Sequence, residues 1–434
     1  MAAGQEPSAL RLSQAVAIAL EKSPARKMAA ADVSAAKAGV DQARSSFLPR
    51  VNFAETFTYG NDPVYAFGTR LRQGRFTQND FALGSLNFPN AIGNYSSRIG
   101  GQWNIFNSFN DRLQFRRARA LDEAAQRQLS RADQKLMYRV IDAYYGVLLA
   151  ARQLEVAEQT LRTAQAVVES TTAKVEAGTA VDADALSAKV MHATRQQETI
   201  RARGALEVAR TQLETALGAR LAPGQQPADA LQERVFPPAE LEKAEVRALA
   251  QRPDLQAIAS QVDAQHAGVK AAKAAFGPRL DVFGSWQADN PAFAANGNSN
   301  WMTGAELRID LFAREKNARL AMEKATLARV EASRQMAGDN VRMEVRRAYF
   351  EYDAARQMLE VARGAVAQAG ESMRIVRDRY ESGLVPVTEL LRAEDAERAS
   401  GTNYWHAVYR NVTSYAALLL ATGDLNEQSV VVTQ

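Results

Sequence analysis

A mainly helical protein that also carries membrane β-strands, built from two tandem repeats, is the fold class that the sequence predicts. Three observations predict it. Identical residues recur at a constant spacing in the two halves of the 434-residue chain. Four segments alternate apolar and polar residues over about the 9–11 residues that a tilted strand needs to cross a bilayer. Two long segments place an apolar residue at every seventh position, a pattern typical of helices that supercoil against partners.

The internal repetition is the most informative of these observations. Residues 24–50 and 253–279 share identical residues without a gap, all at a spacing of 229. Further identities lie 205 residues apart, because the first copy carries about 24 extra residues near 60–97, which we interpret as a longer loop. The matched positions of the first copy include Pro24, Gly39, Val40, Ala43, Phe47, Pro49, Arg50, Ala143, Tyr144, Gly178 and Leu186.

The alternating segments come as two pairs, one pair in each copy. In the first segment Val51 and Phe53 lie on one face with Asn52 opposite, and Glu55 interrupts the apolar face. The predicted strands cover about 49–60, 97–107, 279–288 and 302–312. The apolar positions of the last strand are Leu307, Ile309 and Leu311.

Very long helices follow the strands in each copy. From Val140 to Val175 every seventh residue is apolar, and the second copy repeats this seam up to Tyr380. Each long helix is predicted to end at a glycine turn, after which a shorter helix returns. The predicted helices cover about 111–177, 181–217, 315–382 and 386–421. The repeats then cover 8–217 and 246–423, with a linker over 218–245 and a C-terminal tail over 424–434.

The composition excludes several classes of function. The chain has no cysteine, which rules out disulfides, cysteine zinc sites and thiol catalysis. The net charge of +4 comes from 53 basic and 49 acidic residues that are mixed along the chain, so a nucleic-acid partner is not expected. Residues 1–7 lack the features of a signal peptide, and we expect a mature or engineered form if the protein is exported.

The strands indicate an assembly of several copies. Four strands cannot close a barrel, and an open strand edge in lipid leaves backbone N–H and C=O groups unsatisfied. Two copies would give eight strands, whose interior the side chains fill, whereas three copies are the smallest number that leaves a passage. The long helices carry too many charges to lie in the same bilayer, so we expect them to project from it. A strand barrel that continues into a helical tube is a conduit.

In its order of elements the chain resembles the outer-membrane efflux protein family typified by TolC, from about Leu10 to Gly423. The resemblance is carried by the duplicated blocks, the strand-to-helix segments 103–106 and 309–312, and the two glycine turns. It implies a homotrimer with a 12-stranded β-barrel continuous with a long periplasmic α-helical barrel, and an equatorial belt near 218–245. It implies a location in the outer membrane of a Gram-negative bacterium, in contact with outer-membrane lipid and extending into the periplasm. It also implies two protein partners, a periplasmic adaptor (membrane fusion) protein and an inner-membrane pump of the RND, ABC or MFS type.

The same resemblance assigns roles to residues near the glycine turns. The turns would be the periplasmic tips that dock the adaptor, and their residues here are Ala177, Gly178, Thr179, Ser382, Gly383 and Leu384. A gate would lie close to them, at Asp184, Tyr380, Glu389 and Arg392. Val385 stands where the family has a latch arginine, and Arg392 stands where it has a second acid, so a cation-selective ring is weakened here. The ordinary alternatives are a glycine that only ends a helix and acids that only face solvent.

No catalytic, metal or cofactor site is predicted. The three histidines, His192, His266 and His406, lie on different predicted helices without metal-ligand spacing. The sequence contains neither a phosphate-binding glycine loop nor a nucleophile elbow, so we expect no enzyme activity. Two rival functions stay open. A periplasmic adaptor would carry one helical hairpin between β modules, and a non-membrane coiled-coil scaffold would leave the four alternating segments unexplained.

Overall fold

The computed structural model describes residues 9–222 and 224–433 of the chain. Residues 1–7, on which the expectation of a mature form rests, lie outside this range. The helices are α1 Leu12–Lys22, α2 Pro24–Ser45, α3 Pro63–Arg72, α4 Leu83–Asn87, α5 Asn110–Glu176, α6 Asp182–Leu217, α7 Leu241–Gln251, α8 Pro253–Ala274, α9 Arg314–Glu381, α10 Val387–Thr422 and α11 Val430–Thr433. The strands are β1 Arg50–Gly60, β2 Ile92–Phe106, β3 Arg279–Asn290 and β4 Asn298–Arg308, and a short 3-10 helix covers Gln78–Phe81. Within the described residues, no helix combines the length and the apolar character needed to cross a membrane.

Corresponding helices of the two halves have equal or nearly equal lengths. α1 and α7 both have 11 residues, α2 and α8 both have 22, and α6 and α10 both have 36. α5 has 67 residues and α9 has 68. Pro24 and Pro253 each open a helix, where the missing N–H removes no intrahelical hydrogen bond. The ends of the four long and returning helices lie within one residue of the predicted ones.

The chain divides into two compact units, and the first contains the described residues of Met1–Val33, Ala124–Ile258 and Ser333–Gln434. Its main core follows the seven-residue seams read from the sequence. Val140 and Val147 of α5 are buried, as are Val345 and Tyr352 of α9. Burying one stripe of each helix is what a coiled-coil pattern requires.

The segment between the two halves is shorter than predicted and packs into this core. α7 begins at Leu241, inside the range 218–245 that the sequence assigned to a linker, because it corresponds to α1 at the 229-residue spacing. The Phe236 ring stacks on Tyr415 of α10 with 4.2 Å between centroids. The Asn411 Nδ2 donates a hydrogen bond to the Arg234 carbonyl oxygen at 2.9 Å.

The second unit contains Ser34–Glu123 and Ala259–Ala332, and its centre is one antiparallel sheet with strand order β1-β2-β3-β4. In register, Asn52 lies opposite Gly100, and Gly100 lies opposite Ser285. Because side chains alternate between faces along a strand, the register sorts them into one polar and one apolar face. The interruption at Glu55 lies on the apolar face, where the Ser97 hydroxyl of β2 donates a hydrogen bond to the Glu55 carboxylate.

Two strand predictions differ from the structure. β2 begins at Ile92 rather than near 97, because the ladder with β1 continues until Ile92 lies opposite Gly60. β4 covers Asn298–Arg308 rather than 302–312, so Ile309 and Leu311 lie beyond it. Arg308 pairs with Arg279, the first residue of β3, and the preceding Pro278 has no N–H to extend the ladder.

The extra residues between β1 and β2 are mostly helical rather than a loop. They form α3, the 3-10 helix and α4, which we call the insert, residues 61–91. The Asp62 carboxylate accepts a hydrogen bond from the backbone N–H of Tyr65 at 2.8 Å, and Pro63 follows as the first helical residue. An acidic N-cap residue followed by a proline in the first turn favours the start of a helix, which explains why α3 begins at this position.

Four glycines at helix ends have the left-handed backbone conformation, and their different surroundings predict different losses of stability when a side chain is added. Gly218 and Gly423 end the returning helices, and a Cβ at Gly218 would lie 2.9 Å from the Ser23 Cα. Gly178 and Gly383 have similar φ angles of +70° and +72°, but a Cβ there would meet nothing within 4 Å. We expect Gly218→Ala to lower the free energy of unfolding by about 2–4 kcal/mol, from left-handed strain plus overpacking, and Gly178→Ala by only about 1–2 kcal/mol. Urea unfolding followed by circular dichroism measures both, and equal losses would contradict the close contact.

Candidate functional site

The two glycine turns at the ends of α5 and α9 have the same local geometry. The Gly178 N–H donates to the Val175 carbonyl at 2.9 Å, and the Gly383 N–H donates to the Tyr380 carbonyl at 3.1 Å. Each turn then leads directly into its returning helix. The six residues that the resemblance assigns to docking are all exposed, and Leu384 retains 73% of its accessible surface. The first turn therefore exposes Ala177 beside Gly178, and the second exposes Leu384 beside Gly383.

Tyr380 lies in a small apolar cluster just before the second turn. Its phenol oxygen lies 3.1 Å from the Thr171 Oγ1 of α5, and this contact is buried. The Lys174 ammonium lies 3.9 Å from the centroid of the Tyr380 ring and donates to the Tyr380 carbonyl oxygen at 3.2 Å. α5 and α9 are thus joined at the tip by a hydroxyl pair and a cation–π contact. Met373, Val387, Leu390 and Leu391 are buried in the same cluster.

Within the residues that the structure describes, the other predicted gate residues make no hydrogen bond or ion pair with Tyr380. Glu389 and Arg392 form an exposed ion pair of 2.7 Å one turn apart on α10. Asp184 lies half-buried in the first turn of α6, where its charge suits the helix N-terminus. Among the described residues, the Asp184 side chain makes no hydrogen bond or ion pair with the other three. Any ring formed by these acids therefore needs further copies of the chain.

A buried charged group that the sequence analysis missed lies about two to four helical turns into the returning helices α10 and α6. The Arg195 side chain of α6 is only 2% exposed, and it donates to the Glu198 carboxylate at 2.9 Å and to the Asp395 carboxylate of α10. Glu394 is also 2% exposed, and both of its carboxylate oxygens are buried without a hydrogen-bond partner. A carboxylate in such a place loses hydration without a compensating bond.

The surroundings of Glu394 change its acidity. Burial, which is the largest cause, raises the pKa of the Glu394 carboxyl above its ordinary value of 4.5. The charges of Asp395 and Glu397 add to this rise, whereas Arg195 and Arg377 oppose it. The folded chain therefore holds the Glu394 proton to a higher pH than an exposed glutamate does.

A sequence signal for these buried charges exists in the seven-residue seams. Arg195 lies seven residues after the buried Ala188 and fourteen before the buried Ala209. Glu394 lies seven residues after the buried Val387 and fourteen before the buried Val408. Following the seams through polar positions, and not only apolar ones, finds both.

The sheet of the second unit provides the other candidate surface. Its apolar face carries aromatic and aliphatic side chains that are exposed in the single chain, and Trp301 on β4 retains 77% of its surface. β1 and β4 are the two edges of the sheet, and each has a neighbour on one side only. A two-edged sheet with one exposed apolar face leaves both lipid-compatible surface and backbone hydrogen-bonding groups unused. The exposed apolar positions are Val51, Phe53, Phe57, Tyr59, Ile99, Trp103, Val282, Trp286, Trp301 and Leu307.

Comparison with known proteins identifies this arrangement. The sequence profile of the outer membrane efflux protein family matches residues 15–219 and 246–424. The chain belongs to the outer membrane efflux protein family. The two matched ranges correspond to the two halves of the chain, and the unmatched stretch between them covers the connecting segment and the first residues of α7.

Relatives and solved structures agree with this membership. The chain is 24% identical to the alkaline protease secretion protein AprF of Pseudomonas aeruginosa, over 98% of this chain and 86% of that protein. It is 26% identical to the protein CyaE of Bordetella pertussis, over 97% of this chain and 85% of that protein. The fold is similar to the CmeC outer membrane channel of Campylobacter jejuni, with a TM-score of 0.83 and 15% identity over 97% of this chain and 87% of that chain.

Family membership settles the broad location and class. The protein is an outer-membrane efflux-type channel of a Gram-negative bacterium and extends into the periplasm. Members of this family are channels rather than enzymes, and neither the adaptor nor the scaffold reading is favoured. The mainly helical fold with a small antiparallel sheet is that of the family's channel structures.

Proposed function

We propose that this protein is the outer-membrane exit duct of a tripartite efflux or secretion system, and that it works as a homotrimer. The observation that carries the proposal is the four-stranded sheet with one exposed apolar face and two unpaired edges. In an antiparallel sheet of four strands, β4 of one copy runs antiparallel to β1 of the next, so the ladder can continue around a ring. Three copies give twelve strands, enough to enclose a water-filled passage, and no edge is left in lipid.

The duct is passive, and its cargo is delivered by other proteins. An inner-membrane pump of the RND, ABC or MFS type supplies the energy, and a periplasmic adaptor protein bridges the pump to the glycine turns. The exposed residues of the two turns support this docking role, because each turn offers a free apolar or small surface. The likeness to a protein named for alkaline protease secretion and to a channel fold supports both protein secretion and efflux as routes. The equal lengths of corresponding helices further support an origin by internal duplication.

The periplasmic entrance is closed by the tips, with Tyr380 as the residue that holds them. Asp184, Glu389 and Arg392 contribute the charges that three copies bring to the entrance. Asp184 and Glu389 are two acids per copy, but Arg392 pairs with Glu389 at 2.7 Å. The net charge at the entrance is therefore less negative than two unpaired acids per copy would give. The Thr171–Tyr380 contact supports a closed resting state, because it joins α5 to α9 directly beside the turns.

Removing the Tyr380 hydroxyl is expected to open the entrance. Tyr380→Phe deletes the contact with Thr171, and a typical hydrogen bond contributes about 1 kcal/mol, which shifts a closed-to-open equilibrium about fivefold. Single-channel recording in planar lipid bilayers measures the open probability. Tyr404→Phe is the matched control, since it removes a hydroxyl that donates to Glu233 at 2.8 Å in another part of the helical unit. Unchanged gating in Tyr380→Phe, or equal changes in both variants, would overturn the latch.

The function itself is tested by purified protein without any partner. Reconstituted protein should insert into planar bilayers and conduct ions in uniform steps. Absence of current from protein that is folded and inserted, in the wild type and in Tyr380→Phe alike, would refute the duct.

A further inference from the structure

The insert between β1 and β2 lies against the polar face of the sheet. The Tyr65 hydroxyl of α3 donates to the Thr58 carbonyl oxygen at 2.8 Å, and the Gln73 Nε2 donates to the Gly93 carbonyl oxygen at 2.9 Å. Thr69 of α3 is buried on the side that faces the sheet. A cleft of about 520 Å³ remains between α3 and the strands. The insert therefore forms one wall of a cavity whose other wall is the polar face.

Two arginines line this cleft, one from each wall. Arg72 is the last residue of α3, and Arg98 lies in β2. The cross-strand neighbours of Arg98 are Ala54 and Gln287, which carry no charge. In the described part of the chain, neither arginine makes an ion pair, and none of the residues that line the cleft is acidic. The rest of the lining is mainly hydroxyl, amide and glycine: Asn52, Thr56, Thr58, Tyr65, Thr69, Asn94, Ser96, Gly100, Gly101, Gln102, Gly284, Ser285 and Gln287.

The acids on the same face of the sheet are engaged elsewhere. Asp281 pairs with Arg279 at 2.6 Å, and Glu306 pairs with Arg308 at 2.7 Å. Asp289 lies diagonally from Arg98 and is fully buried, where it accepts hydrogen bonds from the Asn94 and Gln287 side-chain amides at 2.7 and 2.9 Å. These partners hold the Asp289 carboxylate within the sheet, so the two arginines present the charge that the open cleft offers to a solute.

We propose that this cleft is an anion-binding subsite, and that it gives the outer part of the channel a preference for solutes bearing carboxylate or phosphate groups. Guanidinium groups donate paired hydrogen bonds that match such anions, and the surrounding hydroxyls and amides add neutral donors. Positive charge inside a narrow, low-dielectric space raises the local concentration of anions. The inference rests on the proposed function, because the polar face lines a passage only when the sheet closes with other copies.

The test is the ion selectivity of the reconstituted channel. We expect Arg72→Gln combined with Arg98→Gln to lower the chloride-to-potassium permeability ratio about twofold or more, as measured from the reversal potential across a KCl gradient. Arg72→Lys combined with Arg98→Lys keeps both charges and should keep the wild-type ratio within about 1.5-fold. Raising the salt on both sides to about 1 M should shrink the difference, since the Debye length falls to about 3 Å.

Arg75→Gln is the matched control, because Arg75 is exposed on the same insert but does not line the cleft. A wild-type ratio in the glutamine pair would overturn the anion subsite, as would an equal loss in Arg75→Gln, which would mean that any charge near the mouth suffices. Protein that inserts without conducting, in the wild type and in Tyr380→Phe alike, would instead overturn the proposed function, and this inference with it. If each variant inserts into the bilayer as often as the wild type, seen as uniform steps in conductance, its channels assemble.

Discussion

Arg195→Met is expected to lower the free energy of unfolding of the helical unit by about 3 kcal/mol, the lower end of the cost of breaking a buried ion pair. The substitution removes a buried cation that joins α6 to α10, and it leaves the Glu198 and Asp395 carboxylates with Arg398 at 3.9 and 3.7 Å as their remaining cationic partner. Those carboxylates are 28% and 47% exposed, so water can recover part of their hydration, which is why the lower end applies. The midpoint of urea unfolding, followed by circular dichroism at helical wavelengths, measures the loss.

Arg203→Met is the matched control for this result. Arg203 lies on the same helix and pairs with Glu158 of α5 at 3.1 Å, but its side chain is 65% exposed. Exposed pairs contribute about 0–1 kcal/mol, so the control should unfold close to wild type. Equal losses in the two variants would mean that burial of Arg195 does not matter, contrary to the structure.

Glu394→Leu is expected to have the opposite sign and to raise the free energy of unfolding by about 1–3 kcal/mol at neutral pH. The variant replaces two buried, unpartnered carboxylate oxygens with an apolar side chain of similar size. Glu394→Gln should recover less, because its amide keeps buried polar atoms. Glu397→Leu, on the exposed side of the same helix, should change little. A loss of stability in Glu394→Leu would show that the carboxylate has a partner that the single chain does not supply.

The effect of Glu394 should depend on pH in a defined direction. Its folded-state pKa is raised above the ordinary value of 4.5, so the unfolded chain releases this proton first as the pH rises. Wild type therefore loses stability relative to Glu394→Leu as the pH rises above about 4.5, and the difference levels off above the folded-state pKa. Below that range only the cost of burying a neutral carboxyl remains. Thermal unfolding of both proteins between about pH 4 and pH 8 measures this, and parallel curves would contradict the raised pKa.

Much of the helical fold could be predicted from the sequence because one physical pattern governs it. An apolar residue at every seventh position requires a long helix that buries one stripe, and Val140, Val345 and Tyr352 occupy that stripe in the structure. Gly178 and Gly383 mark the ends of these helices because only glycine adopts the left-handed conformation there at low cost. The alternation of apolar and polar residues predicted the four strands but not where they end, because a strand ends where its partner strand stops pairing. β4 ends at Arg308 because its partner Arg279 follows Pro278, which has no N–H to extend the ladder.

The insert and the site residues were harder to predict, for different physical reasons. The pair Asp62-Pro63 indicates the start of α3, but nothing local to that segment says that it packs on the polar face of the sheet. The hydrogen-bond partner of Tyr380 is Thr171, which lies 209 residues away in the chain and belongs to no sequence motif. Arg195 and Glu394 occupy seam positions, yet a search for apolar periodicity passes over charged residues. Contacts between distant segments, and polar residues inside apolar seams, need the fold itself.

The most direct test of the central claim is the protein mass of the complex extracted in detergent, measured by light scattering with correction for bound detergent. A twelve-stranded barrel that closes by pairing β1 of one copy with β4 of the next contains three copies. It predicts a protein mass of three times the chain mass of 47.4 kDa. A stable, folded species with the mass of a single chain would contradict the closure of the barrel, and with it the duct.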